Sequence, residues 1–483
     1  MVAMSYSTLS THAQRCFRAL SVHPGSFSAA TAATIVGCSE PDVQQAIDEL
    51  LSDYLLEELN PGEYLFYYLV REHAQNLFMR HDSFIERDLV VRRMLNWYVD
   101  RAVAADLALN PFQQRCASVV VSTDHEFTDA REARAWFARE LGNLLGCQQL
   151  AMQHDLHENS HRLAEAMWNG LRRSCLPREL VDSQRRGARA AAEEGNVMAE
   201  LGCLIRMAFG HIDLNDRSAA ERISTDAIAQ ASALGLDWLV ATGLATRARG
   251  RRSRDPQGAL EDLHYALRLR TAAGDHHEIA NVHRRLGELY GDRAIYNHDL
   301  SVEHLQTAVD LLAETDDGVG HARAVCCLAK VRIDAGEPTA ALLELAPVLR
   351  TLFEHGAPAQ IARALVVQGQ AYAASHQVYL AHESWEEALR IFSGVGPGAD
   401  AEAWRLRQEL AGGLPQLPWG ITISGAERSA MGRLLRERYD QGVSIRNLAS
   451  ECDRSFGFVR TMLCEAGAEL KPRGRQPVHE VVR

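Results

Sequence analysis

Between residues 369 and 388 the chain reads GQAYAASHQVYLAHESWEEA, and five positions carry its meaning: Gly369, Tyr372, Ala381, Trp385 and Ala388. Ala381 and Ala388 lie seven apart, two turns of helix, so both share one face. Small residues there and at Gly369 let two helices approach closely, while Tyr372 and Trp385 fill the gap beside them. The same spacing of small residues recurs upstream at Ala220/Ala227, Ala259/Ala266, Ser301/Ala308 and Ala341/Val348. The intervals are 39 and 42 residues and then 80, the last spanning the copy at Ala341/Val348. Gly287 and Tyr290 open the copy before Ser301 in the same way, with two extra residues. A period near 40 over residues 196–396 means stacked helix pairs, each burying its apolar face against its neighbours.

This spacing resembles that of tetratricopeptide repeats. The resemblance implies a superhelix whose concave groove takes a peptide or partner protein, although such a groove can also be purely architectural.

Composition bounds what else the chain can be. It has 483 residues, 47% hydrophobic and 24% charged, the balance of a folded protein of about three domains. No stretch reaches the 18 or so uninterrupted apolar residues of a membrane span, and Met1 to Arg15 lacks the basic and then apolar regions of a secretion signal. A cytoplasmic protein without a membrane partner is expected. Ten cysteines occur with no C-x-x-C pair, so they read as small buried apolar residues rather than a disulfide framework or zinc ribbon. Lys330 and Lys471 are the only lysines, and neither sits in the glycine-rich pattern of a P-loop. Nucleotide-cofactor chemistry of that kind is excluded. Net charge is −12, yet residues 425–483 hold ten Arg and one Lys against eight acids. A basic end on an acidic body is the asymmetry of a small module that meets polyanion.

Residues 10–80 have the rhythm of a winged helix. Ala13, Cys16, Phe17 and Leu20 form one helical stripe and Val43, Ala46, Ile47, Leu50 and Leu51 another, with Ser28 placed to cap a short helix between them. Leu55 to Leu59 and Tyr64 to Tyr67 flank Asn60-Pro61-Gly62-Glu63, a β-hairpin wing, and a last helix carries Leu69, His73, Ala74 and Leu77. The third helix, Glu40 to Ser52, presents Glu40, Asp42, Gln44, Gln45, Asp48 and Glu49. An acidic face repels phosphate, so DNA contact is not assigned to this domain.

The run Ser5-Tyr6 leading to Cys16-Phe17-Arg18-Ala19-Leu20-Ser21-Val22-His23-Pro24-Gly25, with Leu55-Leu56-Glu57-Glu58 and the hairpin, resembles a segment of large actinobacterial regulators of the AfsR type. In that family it is the winged helix following the NB-ARC, or STAND, nucleotide-binding domain. Met94-Leu95-Asn96-Trp97-Tyr98 and Ala135-Trp136-Phe137 to Asn143-Leu144-Leu145 resemble the helices that lead into repeats in that family. The wing there ends in a Met-His-Asp-Leu-like signature whose histidine senses nucleotide. Here the matching positions are Phe66-Tyr67-Tyr68-Leu69, so the resemblance implies the downstream half of such a regulator without its ATPase.

Residues 444–466 fit a helix-turn-helix. Ile445, Leu448, Ala449 and Cys452 make one inward stripe and Val459, Met462, Leu463 and Ala466 a second, separated by Asp453-Arg454-Ser455. Asp453 stands where glycine is usual in the turn, Val459 falls ten after Ala449, and Ser455 can cap the second helix. Met431, Leu434, Leu435 and Tyr439 supply a supporting first helix. The outward face then offers Phe456, Gly457, Arg460 and Thr461, with Arg446, Arg454 and Ser455 nearby. Arginine can clamp guanine, Thr and Phe can touch a thymine methyl, and glycine lets backbone approach phosphate. The string resembles short helix-turn-helix modules of actinobacterial regulators and mobile-element proteins; a protein-contacting or purely structural three-helix bundle is the alternative. Beyond it, Lys471, Arg473 and Arg475 surround an Arg-Gly-Arg core that resembles an AT-hook, and the same residues read equally as a disordered basic tail.

His157-Glu158-Asn159-Ser160-His161 matches the zinc-protease pattern H-E-x-x-H. Polar Asn159 and Ser160 point to a solvated face, and Ala164 and Met167 stand where the extended pattern has glycine and histidine, so no catalytic, metal or cofactor role is assigned. His276-His277 reads as a loop pair before a helix.

The expected fold is therefore all-α with one small β-hairpin: a winged helix (1–85), a helical lead-in (86–195), tetratricopeptide-like repeats (196–410), a linker (411–424) and a helix-turn-helix module with a basic tail (425–483). The expected function is a non-enzymatic, sequence-specific DNA-binding transcription regulator. It acts on double-stranded DNA as a homodimer, with a peptide or protein in the repeat groove. The alternative is an interaction scaffold, a degenerate STAND remnant that binds no DNA.

Overall fold

In the computed structural model, which describes residues 2–116, 127–395, 399–411, 414–416 and 423–470, serine hydroxyls start the N-terminal helices. After α1 (Val2–Thr8), Ser10, Ser28 and Ser39 cap α2 (Thr11–Leu20), α3 (Ala29–Val36) and α4 (Glu40–Ser52). Each accepts the backbone N–H three residues on, satisfying a donor that the first helical turn leaves open. Ala13, Cys16, Phe17 and Leu20 on α2 and Val43, Ala46, Ile47 and Leu50 on α4 are buried as their spacing predicts. β1 (Glu57–Asn60) and β2 (Glu63–Leu65) pair antiparallel with Glu58 opposite Tyr64. Tyr64 ties this wing to the body by exchanging backbone hydrogen bonds with Phe27.

On α5 (Tyr68–His81) the inward stripe is Val70, Ala74 and Phe78, while Leu69 is exposed. Leu69 and Val70 are both apolar, so periodicity alone does not choose between them. Arg71 does, by donating to the carbonyls of Ser21 and Pro24. The acidic face of α4 also divides. Glu40, Asp42, Gln45 and Asp48 are exposed, but Gln44 reaches Asp48 and Tyr64, and Glu49 accepts from the N–H and hydroxyl of Ser10.

α6 (Phe84–Leu109) and α7 (Ala130–Gln153) precede a series of helix pairs: α8 (His157–Arg173) with α9 (Pro177–Glu194), α10 (Val197–Asp213) with α11 (Arg217–Ala233), and α12 (Asp237–Arg251) with α13 (Pro256–Ala273). Left-handed turn residues fall at Asp155, Cys175, Asn215, Gly195 and Gly235, spaced so that one helix and one turn make twenty residues and one pair makes forty. The chain forms two compact units, Met1–Val282 and His283–Arg483, with the division inside α14 (His276–Tyr290). The second unit continues the alternation through α15 (His298–Ala313), α16 (Gly318–Asp334), α17 (Pro338–His355), α18 (Pro358–Ala374) and α19 (Val378–Ser393). α20 (Asp400–Leu410) and the final three helices, α21 (Gly425–Asp440), α22 (Ile445–Glu451) and α23 (Phe456–Glu465), complete it. Among the described residues the hairpin is the only sheet, so the fold is all-α with a small wing.

Each small residue of the seven-residue spacing is buried on the second helix of a pair, from Ala220 and Ala227 on α11 to Ala381 and Ala388 on α19. Gly369 has no room for a Cβ because Trp385 lies against it, its indole N–H donating to the Val366 carbonyl at 3.3 Å. Pair α8/α9 repeats the design upstream of residue 196, with Leu180 and Gly187 in place of Ala220 and Ala227. Leu180 is large, which hides this copy from a search for paired small residues.

The H-E-x-x-H residues occupy the first turns of α8. There His161 Nε2 lies 2.7 Å from Glu194 Oε2, and Glu158 pairs with Arg162. Ser160 is buried rather than solvated, because α8 packs against α6, α7 and α9. Among the described residues no group of three His, Cys, Asp or Glu stands together as metal ligands, and no helix is long and apolar enough to cross a membrane. His276 and His277 open α14 instead of lying in a loop, and His277 stacks on Phe112.

Candidate nucleic-acid interface

The last three helices begin and end where side chains dictate. Ser444 caps α22 by accepting the Asn447 N–H, and Ser455 caps α23 by accepting that of Phe458, each at 3.2 Å. Between them Asp453 takes φ 51°, the left-handed conformation that Asp tolerates better than most side chains. Leu448, Ala449 and Cys452 on one side and Val459, Met462 and Leu463 on the other are buried with Met431, Leu434, Leu435 and Tyr439 of α21. Ile445 and Ala466, the ends of the two expected stripes, are half-buried.

This core is not built from the module alone. Tyr379 of α19 is fully buried in it, its hydroxyl donating to the Pro415 carbonyl at 3.0 Å. Glu427 of α21 accepts the N–H groups of Tyr379 and Leu380 at 2.8 and 3.1 Å, satisfying donors at the start of α19 where a negative charge is favoured. Arg433 grips Glu383 with two bonds of 2.6 and 2.8 Å. Leu414 joins the core, and Gln416 donates to the Glu451 carbonyl. Residues about 50 apart meet here, and no local pattern announces them.

Charge on the module is sorted by helix. The arginines of α21 are engaged: Arg428 with Glu465, Arg433 with Glu383, Arg436 with Asp440 and the Ala466 carbonyl, and Arg438 with Glu451. The hydrogen bonds from Arg428 hold the Glu465 carboxyl below its usual range. Arg446 and Arg460 are exposed and have no ion-pair partner among the described residues. Phe456, Gly457 and Thr461 are exposed on the same short helix as Arg460. A Cβ at Gly457 would meet nothing within 4 Å, so the fold does not require glycine there.

Other expected site residues have prior commitments. Thr461 spends its hydroxyl on the Gly457 carbonyl at 3.0 Å, which leaves its methyl for contacts. The Ser455 hydroxyl serves as the cap, and Arg454 is half-buried beside the turn. Cys464, expected to be buried with the other cysteines, is exposed on α23. Lys471, Arg473 and Arg475 lie outside the described residues.

The sequence profile of a family described as a helix-turn-helix domain matches residues 417–477. Over 152 residues the chain is 28% identical to the regulatory protein AfsR of Streptomyces coelicolor, an alignment covering 30% of this chain and 15% of that protein. The match thus spans a small share of its relative's length. Among solved structures, the chain is similar to a STAND protein with a tetratricopeptide repeat sensor from Pyrococcus horikoshii. That likeness has 13% identity and a TM-score of 0.41, covering 84% of this chain and 65% of that one. The apo quorum sensor NprR of B. thuringiensis is similar at 11% identity and a TM-score of 0.40, over 77% of this chain and 98% of the other.

Proposed function

We propose that the chain is a sequence-specific DNA-binding transcription regulator, in which the tetratricopeptide-like helices receive a peptide or protein signal and the C-terminal helix-turn-helix reads an operator. One observation carries this reading. On a module whose α21 arginines are all engaged, Arg460 has no ion-pair partner among the described residues and stands on α23 beside exposed Phe456, Gly457 and Thr461. Support comes from the helix-turn-helix profile and from the likeness to a regulatory protein.

In this reading α23 enters the major groove by its N-terminal turns. Arg460 contacts guanine O6 and N7, and Phe456 and the Thr461 methyl touch thymine. Arg446, Arg454 and the capped N-terminus at Ser455 meet phosphate. Lys471, Arg473 and Arg475 follow an adjoining A·T-rich minor groove. No catalytic group, metal or cofactor takes part. One short helix spans few base pairs, so the regulator works as a homodimer on half-sites one helical turn, or a multiple, apart.

Mapping DNA fragments bound by the full chain across a genome tests the proposal. A recurrent paired motif is expected, with affinity that falls steeply as salt rises. Absence of any recurrent motif makes the interaction scaffold the better account. Gly457→Ala separates folding from reading. Alanine favours the helix by about 0.5–1 kcal/mol, so the melting temperature should hold or rise, while operator affinity drops several-fold because the backbone no longer reaches phosphate. Unchanged affinity in that variant would place the DNA elsewhere.

A further inference from the structure

One stretch of this chain already lies along repeat helices. In the unit Met1–Val282, residues 110–116 between α6 and α7 run across the first members of the pairs. The Cys116 N–H donates to Glu165 Oε1 at 2.8 Å, and Asn169 donates to the Gln113 side chain at 2.7 Å. Cys116 sulfur fills the space left by Gly202, and Phe112 stacks on His277 with ring centroids 4.9 Å apart. Glu165 and Asn169 are the ninth and thirteenth residues of α8.

In the unit His283–Arg483 the ninth and thirteenth residues of α14 are Arg284 and Glu288, and both line a cavity of about 650 Å³. That volume lies within the range of ligand pockets. Trp385, Phe392 and other apolar side chains contribute to its lining, together with five cationic side chains and three carboxylates, on a chain whose net charge is −12. Arg284 is 7% exposed and paired with Glu288, yet its Nε has no hydrogen-bond partner among the described residues. Lys330 and Arg405 are exposed and have no ion-pair partner among the described residues.

We infer that this cavity binds an extended acidic peptide, its apolar side chains against Trp385 and Phe392 and its carboxylates on Lys330 and Arg405. The positions that hold the chain's own segment on α8 recur here, with a cation at the ninth position where α8 has Glu165. Surplus positive charge selects carboxylates. The apolar surface favours a peptide over nucleic acid, whose backbone is gripped by cations and N–H groups. This inference rests on the signal-receiving half of the proposed function and is independent of operator reading.

Selection from a displayed library of random octapeptides on the immobilised full chain tests it. Enriched peptides should be net acidic and carry leucine or aromatic residues. The double substitution Lys330→Glu with Arg405→Glu should weaken their binding at least tenfold. The pair Lys330→Arg with Arg405→Lys should retain it. Both altered side chains are exposed and have no ion-pair partner among the described residues, so the melting temperature should stay that of the parent chain. Neutral or basic winners, no enrichment, or equal binding by the charge-reversed chain would overturn the inference. Displacement of the peptides by random-sequence duplex DNA would reassign the face to nucleic acid. A recurrent genomic motif found alongside failed peptide selection would remove the peptide site and leave the operator reading intact.

Discussion

Tyr379→Ala is expected to cost the unit His283–Arg483 about 3–5 kcal/mol, as large aromatic truncations in a core do. The ring is wholly inside a core shared with Met431, Leu435, Leu448, Cys452 and Val459, although Tyr379 itself belongs to α19. Burial also pushes its phenol above the usual range, so the hydroxyl stays protonated and continues to donate to Pro415. Tyr379→Phe removes only that bond and should cost about 1 kcal/mol. Urea unfolding of the full chain measures both. A loss below about 1 kcal/mol for the alanine variant would mean that the helix-turn-helix folds without its seat on α19.

Arg460→Ala should weaken operator binding by about 1–3 kcal/mol and relax the preference at one base-pair position. Arg460 is exposed and has no ion-pair partner among the described residues, so its removal should leave folding stability unchanged and isolate recognition. Replacing Arg473 and Arg475 together should act differently. It should lower affinity across sequences, or erode an A·T-rich flank, and reduce the steepness of the salt dependence. Competition over a randomised operator library distinguishes these outcomes. If Arg460→Ala selects the same motif with the same affinity, α23 is not the reading head.

What the sequence reveals here is set by the range of each interaction. A cap acts over three residues, so Ser444 and Ser455 are legible, and a stripe acts over seven, so Leu448 to Cys452 and Val459 to Leu463 are too. The left-handed turn at Asp453 follows from its place after Ala449. Repeat copies are legible where both facing positions are small, as at Ala259 and Ala266, and hidden where Leu180 takes one of them. Adjacent apolar residues such as Leu69 and Val70 defeat the period, and a distant partner decides the face. The seat of the module is illegible for the strongest form of that reason. Glu427 meets Tyr379 and Arg433 meets Glu383 only after the intervening chain has folded. Which exposed side chains have no ion-pair partner among the described residues, as Arg446 and Arg460 do not, is likewise known only once every neighbouring acid has found its partner.

Helix α19 has sixteen residues, a rod of about 24 Å at the rise of an α-helix. Its first turn holds Tyr379 and the backbone groups bonded by Glu427, and Trp385, less than two turns further along, borders the 650 Å³ cavity. A packed helix moves as a body, so the cavity wall and the footing of the helix-turn-helix module share one mechanical part. Linkage then imposes a reciprocity. Under the proposed function, whatever factor a cavity ligand applies to operator affinity by favouring one setting of this rod, bound operator applies to the ligand. A ligand that fits both settings equally, however tightly it binds, transmits nothing.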